Sequence, residues 1–325
     1  MTRIIAADVG GTKCLLQALE LEGGRWSTVM ERRYESTLYP SFDSVLREFL
    51  ATAGAADFGC LAVAGPVLDG RATVTNLGWD IDAAALAHAF GLKGLLLVND
   101  FYAVAAGVPH LQSGDFELLL DRPRNPLGPI AIVGAGTGLG EAIVVPDRDG
   151  WTVVPSEGGH TDFAPANQVQ DGLLRHLRAR HGHVSWERVV SGMGLVNIFT
   201  YLRDTDPTLA TSDFMFADTD DLPALISKHD REGNPLARAT FDVFVDAYGA
   251  EAGNLALKVL ASGGVFLAGG IAAKNVGRFR DGRFLDAYGA KGRQSGLVTQ
   301  WPVHLIMNDR VGLIGAASLA ARMAR

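Results

Sequence analysis

Leu95-Leu96-Leu97-Val98 is a run of four large aliphatic residues that ends abruptly at Asn99-Asp100. Such a run predicts a strand that is buried on both faces, as in a parallel sheet. Open α/β folds bind ligands at the carboxyl edge of the sheet, where Asp100 is expected to lie. Burial there can raise the pKa of the Asp100 carboxyl and suit it to general-base catalysis. The alternative is that Asp100 only caps the helix that is predicted to follow.

Two glycine-rich turns follow short apolar runs. Residues 3–7 lead into Asp8-Val9-Gly10-Gly11-Thr12, and residues 130–133 lead into Gly134-Ala135-Gly136-Thr137-Gly138-Leu139-Gly140. Another apolar run follows each turn, so both segments predict strand–turn–strand hairpins and an internally duplicated architecture. Leu139 stands where a GxGxxG motif has its third glycine, and the chain contains no GxxxxGK[ST]. The sequence therefore disfavours a Rossmann dehydrogenase and a P-loop ATPase.

Composition and charge predict a large core and no nucleic-acid or membrane partner. The chain has 325 residues, of which 48% are hydrophobic, and this length favours two domains. Its net charge is −7 with the signs interspersed, so we expect neither a nucleic-acid surface nor a polybasic membrane segment. We expect no signal peptide and no span of roughly 20 apolar residues. Cys14 and Cys60 fit no zinc spacing and are expected to be reduced thiols of a cytoplasmic protein.

Two further segments carry acidic side chains, a glycine loop at residues 156–160 and a predicted helix start at Glu187. Ser156-Glu157-Gly158-Gly159-His160 predicts a loop because of its glycines. Glu157 and His160 match Glu-x-x-His, a di-iron motif, but the two glycines oppose the helix that this motif needs and the chain has no second copy. Glu187 has a simpler interpretation as an acid that is stabilised in the first turn of a helix.

Asn234-Pro235 predicts the start of a long helix, with an N-cap followed by proline at the first helical position. The helix is expected to run to about residue 260. Gly249 and Gly253 would allow another segment to pack closely against it.

Taken together, the motifs resemble a known family. Asp8-Val9-Gly10-Gly11-Thr12, the turn from Gly134 to Gly140, and Leu267-Ala268-Gly269-Gly270-Ile271 resemble the two phosphate loops and the adenosine loop of the actin-like ATPase fold. Leu97-Val98-Asn99-Asp100, the segment from Ser156 to Pro165, and Glu187-Arg188-Val189-Val190-Ser191-Gly192 resemble sugar-site segments of bacterial glucokinases. The likeness extends from about residue 4 to about residue 320 in the order of the family. The cysteine zinc cluster of the related repressor and sugar-kinase family is absent, which favours the zinc-free glucokinase branch.

The resemblance implies a two-domain α/β actin-like ATPase (ribonuclease H-like) fold, with duplicated mixed β-sheets and a central cleft. We expect residues 1–110 plus 301–325 to form a small α/β domain and residues 111–300 a large one. The implied reaction transfers a phosphoryl group from Mg-ATP to the 6-hydroxyl of D-glucose, giving glucose 6-phosphate and ADP. The resemblance also implies a homodimer.

The same resemblance assigns roles to individual residues. Asp100 would be the catalytic base, and Asn99 would exchange hydrogen bonds with a sugar hydroxyl. Glu157, His160 and Glu187 would hold further ring hydroxyls. The residues assigned to the phosphates are Gly10, Gly11, Thr12, Gly136, Thr137 and Gly138.

Two assignments concern the rest of the nucleotide. Asp8 would hold Mg²⁺ through water, and its alternative is a turn-forming aspartate. Gly269 and Gly270 would leave room for the adenine and ribose.

Several functional alternatives stay open at the level of sequence. The acceptor could be mannose, fructose or an amino sugar, and the donor could be polyphosphate or ADP. A non-catalytic sugar-sensing protein is a further alternative, although both the base and the metal carboxylate are present. A cytoskeletal or chaperone-like ATPase would not need the Glu-Gly-Gly-His segment. Fold alone does not separate these functions.

Overall fold

The computed structural model describes residues 2–23, 25–74, 76–148, 150–214 and 221–325. The chain divides into two compact units, the first formed by Met1–Gln112 with Asn308–Arg325 and the second by Ser113–Met307. Among the described residues, no helix combines the length and the apolar character that a membrane span requires.

The first unit contains, within its described residues, a mixed sheet of five strands. Its strands are β1 (Thr2–Val9), β2 (Lys13–Glu22), β3 (Arg25–Glu35), β4 (Phe58–Val63) and β7 (Gly94–Asn99), with β5 (Arg71–Val74) and β6 (Trp79–Asp82) paired separately. The order in the described sheet is β3-β2-β1-β4-β7. Strands β1, β2 and β3 are antiparallel neighbours, whereas β1, β4 and β7 run parallel. The predicted hairpin at the first glycine turn is therefore confirmed.

Helices cover both faces of this sheet. They are α1 (Phe42–Ala53), α2 (Ala83–Phe90), α3 (Asp100–Gly107) and α13 (Val311–Met323). Ile5 and Val9 belong to the same core cluster as the apolar residues of α1, whereas Ile4 belongs to the cluster of α13. This two-sided burial explains the near-continuous apolar sequence of the inner strands. Because β7 ends the sheet order, Leu95 and Leu96 are only half-buried, so the expected burial on both faces applies to the second half of the run.

The second unit repeats this strand pattern. Its strands are β8 (Phe116–Leu120), β9 (Ile130–Ala135), β10 (Leu139–Asp147), β11 (Gly150–Ser156), β12 (Val265–Ala268) and β13 (Val303–Ile306). Over the described residues their order is β11-β10-β9-β12-β13-β8. As in the first sheet, three antiparallel neighbours (β9, β10 and β11) meet parallel strands (β12 and β13) beside the hairpin. The predicted duplication of a mixed sheet is confirmed.

The end of the chain differs from the sequence-based expectation in one detail. The sequence predicts that residues 301–325 lie in the first domain as a whole. In the structure β13 pairs with β12 and β8 of the second sheet, and the second unit extends to Met307. Within residues 301–325, only the segment from Asn308 onward belongs to the first unit.

A long central helix organises the core of the second unit. The helices of this unit are α4 (Gln168–His181), α5 (Gly192–Thr205), α6 (Pro207–Ala210), α7 (Leu222–Arg231), α8 (Pro235–Val259), α9 (Gly270–Lys274), α10 (Val276–Arg280), α11 (Arg283–Gly289) and α12 (Ser295–Val298). Helix α8 is capped by Asn234, whose side chain accepts from Ala237 N at 3.0 Å, as the sequence predicts. A Cβ on Gly249 or Gly253 would lie 2.4 Å from a carbonyl oxygen of α11, so the predicted close packing is confirmed.

Candidate functional site

Asp100 and Asn99 stand at the junction of β7 and α3. Asn99 Oδ1 accepts hydrogen bonds from Phe101 N at 2.9 Å and from Tyr102 N at 3.4 Å, so Asn99 is the N-cap of α3. Asn99 Nδ2 donates to Gly65 O at 3.0 Å, and the Asn99 side chain also hydrogen-bonds the Asp100 carboxyl. Asp100 is the first helical residue, and only its Oδ1 accepts from Phe101 N, at 2.8 Å. The helix therefore has its cap without Asp100, which weakens the purely structural interpretation of this carboxylate.

The carboxyls of Asp8 and Asp100 lie at the same edge of the first sheet. Asp100 is exposed at the surface of its unit, yet nearby protein displaces enough water from its carboxyl to raise its pKa. Desolvation also raises the pKa of the Asp8 carboxyl, and the negative charge of Asp100 raises it further. The strand register aligns Asp8 with Ala62 and Ala62 with Val98, which places both carboxyls at the carboxyl ends of parallel strands. Two interacting carboxylates at this edge can attract a cation or accept a proton.

The first glycine turn is held by a side chain that sequence reasoning missed. Gly10 N donates to Lys13 O at 2.9 Å and closes the turn. Buried Ser36 donates through Oγ to Gly10 O at 2.8 Å and through its backbone N to Thr12 O at 3.0 Å. Gly11 is half-buried and Thr12 is exposed, so the turn can present both to a ligand.

The second glycine turn is held from a segment about 50 residues further along the chain. Gly136 N donates to Gly138 O at 2.9 Å within the turn. Gly192 N, at the start of α5, donates to Gly136 O at 2.8 Å, so the positive end of this helix lies at the turn. Thr137 is exposed at the tip. A Cβ on Gly138 would lie 2.4 Å from Glu187 Oε2, so a side chain at this position would displace the Glu187 carboxylate.

Glu157, His160 and Glu187 come together in the second unit. His160 Nε2 lies 3.9 Å from Glu157 Oε2, and His160 Nδ1 lies 3.9 Å from Glu187 Oε1. Gly158–His160 forms a single 3-10 turn, and the side chains of Glu157 and His160 are 89% and 60% exposed, so both can reach a ligand. Glu187 lies in another 3-10 turn, and its carboxylate accepts from Leu139 N at 2.9 Å. This contact, and not only a helix dipole, determines the position of Glu187.

The alternative metal interpretation of Glu157 and His160 gains no support. Glu157 precedes the 3-10 turn that contains His160, so the two residues do not lie on the α-helix that the di-iron motif uses. Among the residues that the structure describes, no three His, Cys, Asp or Glu side chains form a cluster that could hold a metal ion.

Gly269 and Gly270 follow β12, where a second unpredicted side chain supports the backbone. Gly269 has a φ of +86°, and a Cβ there would lie 2.2 Å from Ala135 O, so only glycine fits. Tyr248 Oη on α8 accepts from Ala135 N at 3.2 Å and lies 3.2 Å from Ala268 O. The buried hydroxyl thus bridges the ends of β9 and β12, immediately before the two glycine segments. Gly270 is exposed and starts α9.

A buried acid pair lies beneath the loop that carries Glu157 and His160. Glu141 on β10 is 3% exposed and Glu251 on α8 is fully buried. A Cβ on Gly158 would lie 1.9 Å from Glu141 Oε2, so the Glu141 carboxyl touches the backbone of the loop. Desolvation, reinforced by the charge of Glu251, raises the pKa of Glu141 to about 8, and Lys258 opposes this. The signal for this pair was available in the sequence, since both glutamates interrupt otherwise apolar runs.

Comparison with known proteins covers almost the whole chain. A family model for glucokinase matches residues 5–323. A glucokinase of Nostoc sp. is 40% identical over 344 aligned positions, which cover 99% of this chain and 100% of the relative. The crystal structure of a glucokinase from an Antarctic psychrotroph superposes with a TM-score of 0.86 at 32% identity, covering 99% of both chains. A glucokinase of the ROK family from Streptomyces griseus, crystallised with glucose and AMPPNP, has a TM-score of 0.62 at 23% identity, covering 98% of this chain and 99% of that one, and shares the fold.

Proposed function

Since the chain belongs to the glucokinase family, we propose that it phosphorylates D-glucose at the 6-hydroxyl with Mg-ATP, giving glucose 6-phosphate and ADP. The family and the fold class that the sequence predicts, a kinase on an actin-like ATPase fold, are confirmed. The observation that most supports the assignment of a sugar substrate is the convergence of Glu157, His160 and Glu187 beside the second glycine turn.

Asp100 acts as the general base in this proposal. The 6-hydroxyl oxygen attacks the γ-phosphorus, the bond to the β-phosphate oxygen breaks, ADP leaves, and the hydroxyl proton passes to the Asp100 carboxylate. The raised pKa of Asp100 increases its proton affinity over that of an ordinary aspartate. Asn99 exchanges hydrogen bonds with a sugar hydroxyl in this proposal, from a side chain that also caps α3 and binds Gly65 O.

Glu157, His160 and Glu187 select the sugar. Carboxylates accept hydrogen bonds from ring hydroxyls, and an imidazole can donate or accept. A sugar that lacks one of these hydroxyls leaves a polar group without its partner, so such a site discriminates strongly. The exposed positions of Glu157 and His160 leave them free to approach a sugar.

The glycine segments bind the nucleotide. Gly10, Gly11 and Thr12 in the first unit and Gly136, Thr137 and Gly138 in the second present amides and hydroxyls to the phosphates. Gly269 and Gly270 accommodate the adenosine moiety.

The carboxyl edge of the first sheet suits Mg²⁺. The negative charges of the Asp8 and Asp100 carboxylates repel each other, and a nearby divalent cation would reduce this repulsion. Asp8 holds the hydrated ion through water in this proposal. When bound, Mg²⁺ neutralises charge on the transferred phosphoryl group.

Two properties complete the proposal. The protein acts in the cytoplasm as a homodimer. The free, buried thiols of Cys14 and Cys60 support a reducing compartment.

The first test is release of ADP from Mg-ATP without sugar and with glucose, mannose, fructose or N-acetylglucosamine. Glucose-dependent release with glucose 6-phosphate as product is expected, and removal of Mg²⁺ by a chelator should abolish it. Stronger stimulation by another hexose would retain the chemistry but reassign the substrate. Release that no sugar stimulates would contradict the proposed function.

Replacement of Asp100 by asparagine tests the base directly. Asparagine keeps an oxygen for Phe101 N but cannot take the proton, so kcat should fall about 100- to 10,000-fold while glucose still binds. Asp43→Asn, at an exposed position in α1, is the matched control and should keep its kcat. A near-normal kcat for Asp100→Asn would show that another group takes the proton.

A further inference from the structure

The carboxylate of Glu187 contacts the second glycine turn directly. Its Oε2 accepts from Leu139 N at 2.9 Å, and the same oxygen occupies the space that a Cβ on Gly138 would need. Leu139 is the first residue of β10 and its side chain is buried in the core of the unit. The position of the Glu187 carboxylate is therefore linked to the backbone of the turn proposed to bind phosphate.

The segment that follows Glu187 strengthens this link. Ser191 Oγ donates to Glu187 O at 2.6 Å and accepts from Gly194 N at 3.0 Å, which ties Glu187 to the start of α5. Gly192 N then binds Gly136 O at 2.8 Å. Two hydrogen bonds thus join one short segment to both ends of the turn, one through a side chain and one through the backbone.

The other carboxylate oxygen of Glu187 faces the residues proposed to bind sugar. Glu187 Oε1 lies 3.9 Å from His160 Nδ1, too far for a direct hydrogen bond but within reach of a shared hydroxyl group. The side chain of Glu187 is 22% exposed, so a ligand at His160 can contact it. One carboxylate therefore has one oxygen on the phosphate turn and the other toward the sugar.

We propose that Glu187 is a positioning residue that couples sugar binding to nucleotide binding. The inference rests on the proposed function and adds a route of communication within the second unit. A sugar hydroxyl bound to Oε1 restricts the carboxylate to the orientation in which Oε2 holds Leu139 N. The turn is then ordered before the phosphates arrive, so each ligand binds more tightly in the presence of the other, by the same factor.

Glu157 provides a matched comparison for this coupling. It is also an acid proposed to bind sugar, and its carboxylate also lies 3.9 Å from a nitrogen of His160. Its side chain is 89% exposed, and no hydrogen bond from it to residues 136–140 is found among the described residues. Truncation of Glu157 should weaken sugar binding alone, whereas truncation of Glu187 should also affect the nucleotide.

The test measures the Kd of AMPPNP with Mg²⁺ by calorimetry, without sugar and at saturating glucose. The wild type is expected to bind AMPPNP roughly 5- to 150-fold more tightly with glucose. Glu187→Ala should weaken sugar-free AMPPNP binding about tenfold, the effect of one lost hydrogen bond to a charged acceptor, and should reduce the coupling factor at least fivefold. Glu157→Ala should keep the wild-type sugar-free Kd and the wild-type coupling factor.

Thermal unfolding of each variant shows whether it folds. If Glu187→Ala does not fold, Glu187→Asp replaces it, since the shorter carboxylate cannot reach Leu139 N and a sugar at once, and Glu157→Asp becomes its control. Wild-type coupling in a folded Glu187 variant, or equal loss in the two variants, would overturn the proposal. Failure of the proposed function is distinguishable, because it would appear as wild-type protein without glucose-dependent ADP release.

Discussion

His304 should make the protein sensitive to mild acid. This residue of β13 is 8% exposed, and its ring stacks on Phe266 with centroids 4.5 Å apart and meets the edge of Phe116 at 4.6 Å. Neither ring nitrogen has a hydrogen-bond partner among the described residues. Desolvation, and secondarily the positive charge of Arg124, lower the pKa of His304 to about 4. The folded protein therefore keeps this imidazole neutral.

The size of the effect follows from the two pKa values. The unfolded chain takes up the proton with an ordinary pKa of 6.5, whereas the folded chain takes it up near 4. The contribution of neutral His304 to stability is thus fully present above 6.5 and is lost as the pH falls toward 4. Linkage gives a loss of about 1.4 kcal/mol at pH 5.5, about 2.5 kcal/mol at pH 4.5, and roughly 3 kcal/mol in the limit.

The assay compares urea unfolding of the wild type and His304→Leu between pH 4.5 and pH 7.5. Leucine has no titratable group and no buried nitrogen without a partner, so at pH 7.5 the variant should at least match the wild type in stability. The difference in the free energy of unfolding between the variant and the wild type should be about 2.5 kcal/mol larger at pH 4.5 than at pH 7.5. His181→Leu, at an exposed position at the end of α4, is the control and should follow the wild type. Parallel pH curves for His304→Leu and the wild type would refute the assignment.

Three further predictions concern other buried or constrained positions. The pKa of Glu141 is raised to about 8, so the contribution of its protonated form to stability is fully present below pH 4.5 and declines as the pH rises toward 8. The Tm of Glu141→Gln relative to the wild type should therefore increase between pH 5 and pH 8.5. A constant difference in Tm would contradict this. Leu260 has a φ of +51°, so Leu260→Gly should raise the free energy of unfolding by about 1 kcal/mol in denaturant titrations, whereas Leu260→Ala should not. Gly269→Ala should weaken AMPPNP binding about tenfold or more in calorimetry, through its clash with Ala135 O, without weakening sugar binding; equal loss of both would indicate general unfolding.

Local sequence patterns predicted much of the fold because their causes are local. Asn234-Pro235 combines a cap with a proline that needs no amide partner, and α8 begins there. Strong apolar runs around each glycine turn predicted both hairpins, and both form. Burial of the leucine run in β7 was less predictable, since it depends on where the strand stands in the sheet order. The same holds for β13, which belongs to the second sheet by pairing alone.

Contacts between distant segments account for what the sequence did not reveal at the candidate site. Asn99 and Asp100 are adjacent, yet only the backbone conformation determines which of them caps α3. The hydrogen bond from Leu139 N to Glu187 joins residues 48 positions apart, and no local pattern encodes it. Glu141 and Glu251 are visible as acids in apolar runs, but their meeting depends on how α8 packs against the second sheet.

The supports of the three glycine segments follow one physical logic. Glycine allows the backbone to approach a ligand closely, but it leaves the chain with more conformational freedom than any other residue. A loop of this kind is useful for binding only if other groups restrict it. Ser36 restricts the first turn, Glu187 the second, and Tyr248 the ends of the strands before the second turn and Gly269. Each of these three side chains is distant in sequence from at least some of the backbone groups that it contacts. Substitutions at Ser36 or Tyr248 should therefore change ligand affinity without removing any group that touches a ligand, which separates positioning from direct binding in this protein.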